Sequence, residues 1–193
     1  MSERSGDPVA LLKQADGVFR EVLARVTPDQ MELPTPSDEW DVRALINHVL
    51  LGNTWAAANL ATGSAQRPVG DLLGGREPME AYVESADAML AAFAAPGALG
   101  RMVTMPFGEM PGAGLAAFRF TDLISHAWDL ARATGQSTDL APDLCETALG
   151  MSRQYLEGRD RTHAPFKDEV PIAADAPAAD RLAAYLGKQV ATG

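Results

Sequence analysis

The sequence predicts an all-α protein, a four-helix bundle with a short extended link and small C-terminal helices. Three observations carry this expectation. Alanine is abundant and β-branched residues are few, which favours helix over strand. Apolar residues, 47% of the 193, recur at spacings of three and four through long stretches. Prolines, glycines and small polar residues punctuate those stretches where helix caps and stops belong.

The first predicted helix runs from about Asp7 to Val26. Asp7 suits its N-cap and Pro8 its first position. Val9, Leu12, Ala15, Phe19, Val22 and Leu23 form one apolar stripe. An extended approach with two prolines, Leu33 to Trp40, leads into a second helix from about Asp41 to Ala61, with Gly63 as its stop. That helix is apolar around most of its circumference, as expected of a buried bundle helix. His48 shares a face there with Leu45, Gly52, Trp55 and Asn59, and Gly52 leaves room for a group to approach. Residues 63–77 read as loop. A third helix follows from about Pro78 to Ala94. Arg101 to Pro106 reads as a short strand and Gly108 to Gly114 as a turn-rich link. The fourth helix spans about Leu115 to Thr134, with Gly135 to end it. A fifth runs from about Pro142 to Leu156. The segment 158–177 reads as loop with a short extended piece at Val170 to Ile172, and a last helix covers about Ala178 to Leu186. With no repeat, low-complexity tract or linker, residues 1–193 are expected to form a single domain.

Bulk properties narrow the function classes. A net charge of −10 with scattered basic residues argues against nucleic acid. No apolar run approaches the roughly 18 residues of a membrane span. The N-terminal residues lack an apolar signal core. Cys145 is the only cysteine, so no intrachain disulfide can form, which suits a reducing cytoplasm. No basic cluster or Cys-x-x-Cys pattern supports a reactive thiol there, and Cys145 is expected to be buried packing.

The chemistry concentrates in the fourth helix. Asp122 and His126 stand four residues apart and share a helical face. With His48 from the second helix, they would make a two-histidine, one-carboxylate metal site with an open coordination position. A plainer reading stands beside it. On the helical wheel Arg119, Asp122, His126 and Asp129 border the polar side that holds Thr121, Ser125 and Arg132. The stripe then marks a solvated edge, with Arg119–Asp122 and Asp129–Arg132 as exposed ion pairs, and His48 is a core histidine bonded to a backbone carbonyl. Spacing alone leaves both open. Ser125 and His126 point about 100° apart, which excludes a serine–histidine nucleophilic pair. His163, in a loop, reads as surface or structural. Gly74-Gly75 lacks the context of a phosphate loop. Trp128 reads as core, and Trp55, on the His48 face, as the better pocket wall.

Three stretches carry a resemblance. Thr35-Pro36 with Trp40-Asp-Val-Arg-Ala-Leu-Ile-Asn-His48, then Asp122-Leu-Ile-Ser-His126-Ala-Trp-Asp-Leu-Ala-Arg-Ala-Thr-Gly135, and the tail Val170 to Gly187 are similar to the actinobacterial branch of the DinB-like superfamily. This branch is related to the metal-binding domain of mycothiol-dependent maleylpyruvate isomerase. The resemblance implies a four-helix bundle with a metal between helices, ligated by His48, Asp122 and His126. It implies zinc, although the donor set also suits nickel, iron(II) or manganese, and mycothiol as a low-molecular-weight thiol. The isomerase has Glu where this chain has Asp122. It also carries a further C-terminal domain for which 193 residues leave no room, so maleylpyruvate isomerisation itself is not expected.

The expected function is thus a cytoplasmic, metal-dependent thiol transferase or isomerase-like enzyme acting on a small electrophile. Arg119 would contact a carboxylate of substrate or cofactor, or else pair with Asp122 at the surface. Trp55 would line the cofactor pocket, and Asp129 would orient a ligand histidine. Two alternatives remain: a metal-dependent hydrolase with Asp129 as its nearby base, and a non-enzymatic metal- or small-molecule-binding protein whose bundle acts as a homodimer module.

Overall fold

The computed structural model describes residues 6–37, 40–106, 108–158, 161 and 166–190. His163 lies outside them. The described chain is mainly helical: α1 Pro8–Leu23, α2 Val42–Thr62, α3 Pro78–Ala94, α4 Gly112–Ala133, α5 Pro142–Leu156 and α6 Ala178–Tyr185, with one two-stranded sheet. None of these helices is long and apolar enough to cross a membrane.

Local chemistry sets the helix ends. The Asp7 carboxylate accepts from the Val9 amide at 3.0 Å, with Pro8 at the first position of α1. Asp41 caps α2 by accepting from the Ala44 amide at 2.7 Å, and Gly63, left-handed at φ 82°, terminates it. α1 packs against α4 and α2 against α3, with further contacts of α2 on α4 and α1 on α3, so these four close one core. Phe19, Leu45, Ile46, Tyr82, Met89, Phe120 and Trp128 lie within that core. α5 and α6 pack on each other and against α4. The indole of Trp128 ties α4 to α6 by donating to Asp180 at 2.7 Å.

One expectation for an irregular segment fails. Gly108–Pro111, read as a turn-rich link, is a strand, β2, pairing antiparallel with β1 (Met102–Met105) in the register Met102↔Pro111 to Met105↔Gly108. Its Gly and Pro content hid it, but an edge strand tolerates both. The segment holding Val170 to Ile172 is loop, as expected, and the Val170 amide bonds the Ala184 carbonyl at 2.9 Å. α4 also starts three residues before the expected Leu115, because Gly112 packs directly on the Ala98 carbonyl, where any Cβ would collide.

Candidate metal centre

The site forms where α2 crosses α4. His48, Asp122 and His126 each present a ligand atom, and these atoms all lie within 4.8 Å of one another. His126 Nε2 is 3.5 Å from Asp122 Oδ1, and the two imidazole rings are 4.9 Å apart, edge to face. Donors around a tetrahedral zinc at about 2.0–2.1 Å stand roughly 3.4 Å apart. The Asp122–His126 pair already has that spacing, and His48 needs only a small inward movement.

Each of the three candidate side chains makes contacts on its outer side. Asp129 Oδ2 faces His126 Nδ1 at 2.9 Å. A carboxylate only accepts, so Nδ1 carries the proton and Nε2 keeps its lone pair towards the site. Asp122 Oδ2 accepts from Arg119 Nη1 at 2.5 Å, which leaves Oδ1 for the site. Trp40 lies over His48 with ring centroids 4.2 Å apart. Arg67 Nη2 sits 3.3 Å from His48 Nδ1.

These contacts overturn the reading of the α4 stripe as a solvated edge. Arg119 is 2% exposed and Asp129 0%, and Thr121, Ser125 and His126 are buried as well. Asp129 does not pair with Arg132. Its Oδ2 collects Ser37 Oγ at 2.8 Å, His126 Nδ1 at 2.9 Å and Lys188 Nζ at 2.5 Å. Arg119 is no surface partner of Asp122. Its guanidinium passes over Gly52, donates to Asn53 Oδ1 at 2.8 Å and clamps Asp122. The space that Gly52 leaves is therefore filled by Arg119. A substrate carboxylate would have to share a fork that already has two partners.

The electrostatics divide the two histidines. Burial pushes His48 down to about 3, only partly opposed by Asp122, so its imidazole is neutral. Burial also works against charge on His126, but Asp122 and Asp129 outweigh it and raise this ring above the ordinary histidine value. Burial likewise opposes the Asp122 carboxylate, yet Arg119 and His126 hold it well below the usual range. The cluster thus combines one neutral imidazole, one carboxylate held in its ionised form and a second imidazole whose affinity for a proton is raised, so that a cation and a proton compete for it.

A cavity of about 690 Å³ opens over this cluster. Trp40, Trp55, Met105 and Phe118 give it apolar walls, and Arg67, Lys188 and Arg119 bring positive charge to it. Trp55 is buried, and its indole donates to the Ala65 carbonyl at 2.9 Å, which fixes the ring as a wall. Cys145 plays no part here. It is buried, its thiol donates to the Leu140 carbonyl at 3.0 Å, and burial pushes it up to about 12.

Comparison with known proteins identifies the family and the fold. Residues 12–131 match the family model described as the mycothiol maleylpyruvate isomerase N-terminal domain. The chain belongs to this family. Among the family chain's relatives, an uncharacterized protein of Mycobacterium tuberculosis, found in strains CDC 1551 / Oshkosh and ATCC 25618 / H37Rv, is 39% identical over 189 residues, 95% of this chain and 99% of that protein. The crystal structure of the mycothiol-dependent maleylpyruvate isomerase superposes with a TM-score of 0.60 at 17% identity. The match covers 74% of this chain and 66% of that one, so this chain spans just under two thirds of the isomerase chain. A histidine-to-alanine mutant of the isomerase superposes at 0.58 with 16% identity and the same coverage. At such identity the likeness shows a shared helical fold.

Sequence reasoning missed Ser37, Trp40, Arg67, Asn53 and Lys188 as parts of the site. Trp40 had a signal, since it falls in the stretch that opens the resemblance, and Ser37 directly follows Pro36 of the same stretch. Thr35 Oγ1 donates to the carbonyls of Trp40 and Ser37, at 2.9 and 3.2 Å, and the Trp40 ring lies against the rings of His48 and His126. Arg67 and Lys188, in a loop and a tail, carried no signal.

Proposed function

We propose that residues 1–193 form a single metal-binding helical-bundle domain that works as a metal-dependent thiol transferase or isomerase-like enzyme. Its thiol is mycothiol, its substrate a small electrophile and its setting the cytoplasm. The observation that carries this reading is the three-donor cluster of His48, Asp122 and His126 at the floor of a cavity large enough for two reactants. Family membership and the likeness to the mycothiol-dependent isomerase supply the choice of thiol.

The donor set fits a divalent ion, zinc being our assignment. Two imidazoles and one carboxylate leave one or two positions open. A bound cation supplies a Lewis acid that favours the thiolate form of the cofactor sulfur at neutral pH. The protein's own groups do the rest. Asp129 keeps His126 in the ligating tautomer, Arg119 aims the Asp122 carboxylate, and Trp40 and Trp55 wall the cavity against water.

The hydrolase alternative weakens on one observation. It needs a base beside the open position, but Asp129, the proposed base, is fully buried and its Oδ2 already accepts three hydrogen bonds. Elemental analysis should find about one divalent metal per chain, lost in folded His48→Ala and His126→Ala variants. A panel of small electrophiles should turn over only when mycothiol is present. Turnover in water alone would favour the hydrolase, and a filled metal site with no turnover under any condition would favour a binding protein.

A further inference from the structure

We propose that Lys188, from the tail behind α6, is a positioning residue of the metal centre that fixes Asp129 and through it His126. The inference rests on the metal-site reading above. Lys188 lies outside residues 12–131, the part matched by the family model, so it is a feature of this chain's own C-terminal segment.

The geometry is that of a built seat. An ammonium has three N–H donors, and Lys188 Nζ faces three acceptors: Asp129 Oδ2 at 2.5 Å, Ser125 Oγ at 2.7 Å and the Ser125 carbonyl at 3.3 Å. Ser125 adjoins His126 in the chain, and Asp129 holds His126 Nδ1. One cation therefore grips both the helical turn that carries the ligand and the carboxylate that orients its ring. The Lys188 side chain is 13% exposed and that of Asp129 0%, so water offers the carboxylate little in compensation. Among the described residues its Oδ1 has no hydrogen-bond partner, so the hold they exert falls on Oδ2.

The tail is shaped to deliver this side chain. Gly187 adopts φ 85° just past the end of α6. Its amide bonds the Ala184 carbonyl at 3.0 Å and the Lys188 amide bonds the Ala183 carbonyl at 3.0 Å. This is the paired hydrogen bonding of a Schellman cap, which needs a left-handed residue at that position. A Cβ on Gly187 would also run into Lys167. The turn sends the chain back over α4, and Lys188 becomes part of the cavity wall.

The test measures zinc affinity by competition with a chromophoric chelator, and the visible spectrum of the cobalt(II)-substituted protein. In Lys188→Met, zinc binding should weaken about 10- to 100-fold, the range for groups that orient a metal ligand, and the cobalt bands should shift. Affinity within about twofold of wild type would overturn the proposal. Because Lys188→Met leaves a buried carboxylate unpaired and could fail to fold, Asp129→Asn is compared with the Asp129→Asn, Lys188→Met double variant, which holds no such charge. Equal zinc affinity in these two supports action through Asp129, and a further tenfold loss in the double variant overturns it. Wild-type protein that binds no zinc would remove the metal-site reading itself, and this inference with it. Zinc binding that Lys188→Met leaves intact removes the inference alone.

Discussion

Gly52→Ala puts the architecture of the centre to its sharpest test. In a helix interior, Gly to Ala ordinarily gains about 1 kcal/mol. Gly17 in α1 should show that gain, because a Cβ there meets nothing within 4 Å. At Gly52 the added methyl would overlap Nη1 and Cζ of Arg119. Arg119 is 2% exposed and bonded to both Asp122 and Asn53, so it cannot step aside without breaking one of those bonds. Keeping it in place costs about 1–3 kcal/mol of overpacking. Losing a hydrogen bond to a charged group costs about 1.5–3 kcal/mol. Set against the helix gain, the expected net is a loss of about 1 kcal/mol, up to about 2. For a chain of this size that lowers Tm by roughly 2–8 °C, whereas Gly17→Ala should raise it by about 2–4 °C. Asp122 also loses its clamp, so zinc affinity should fall about 10- to 100-fold. Thermal unfolding of both variants, with a chelator-competition titration of zinc, decides the matter. A Gly52→Ala protein stabilised like Gly17→Ala, with unchanged zinc affinity, would refute the assignment of Arg119 as the group that aims Asp122.

Further outcomes follow from the same contacts. Arg67 can only donate to His48 Nδ1, so its contact opposes a cation on either ring nitrogen: it occupies the lone pair of Nδ1, and it faces the Nδ1 proton that ligation through Nε2 requires. Arg67→Met should therefore strengthen zinc binding several-fold by the same competition assay, and weaker binding would show that Arg67 helps rather than competes. With metal removed by chelator, His48 stays neutral in the folded chain down to about 3 because of its burial, whereas the unfolded chain takes up a proton near the ordinary value of about 6.5. Its contribution to stability is full above about 6.5 and is lost as pH falls towards 3. Between pH 7.5 and 5 the wild type should thus lose more Tm than His48→Gln, and parallel curves would contradict this. With its pKa at about 12, Cys145 has on the order of one thiolate in ten thousand at pH 8. Iodoacetamide should leave the native protein unlabelled and label it promptly in denaturant; rapid native labelling would contradict the buried placement.

The helices themselves were legible in the sequence, because apolar spacing and caps are local properties. α3 and α5 have the expected bounds, Pro78–Ala94 and Pro142–Leu156. β2 was not legible, since Gly108–Pro111 becomes a strand only by pairing with β1. At the centre, the spacing of Asp122 and His126 left two readings open. Both were statements about which side of α4 meets water, and a helical wheel drawn for one helix holds no information on what covers it. Arg119 and Asp129 look like ordinary surface charges on that wheel, yet both are buried because α2 covers the first and Ser37 and the tail cover the second.

What the sequence determined by itself was the set of parts: helices of fixed length and polarity, two imidazoles and a carboxylate on faces that could meet, and a glycine at position 52 with room above it. Those follow from the 3.6-residue period and the chemistry of single side chains. Only the tertiary structure decided how the parts are used. It put Arg119 over Gly52, turned Asp129 into the shared acceptor of Ser37, His126 and Lys188, and placed Arg67 against His48. Asp129 and the groups brought to it from positions 37 and 188 owe the strength of their contacts to being shielded from water at one place, and that shielding is a property of the packed chain.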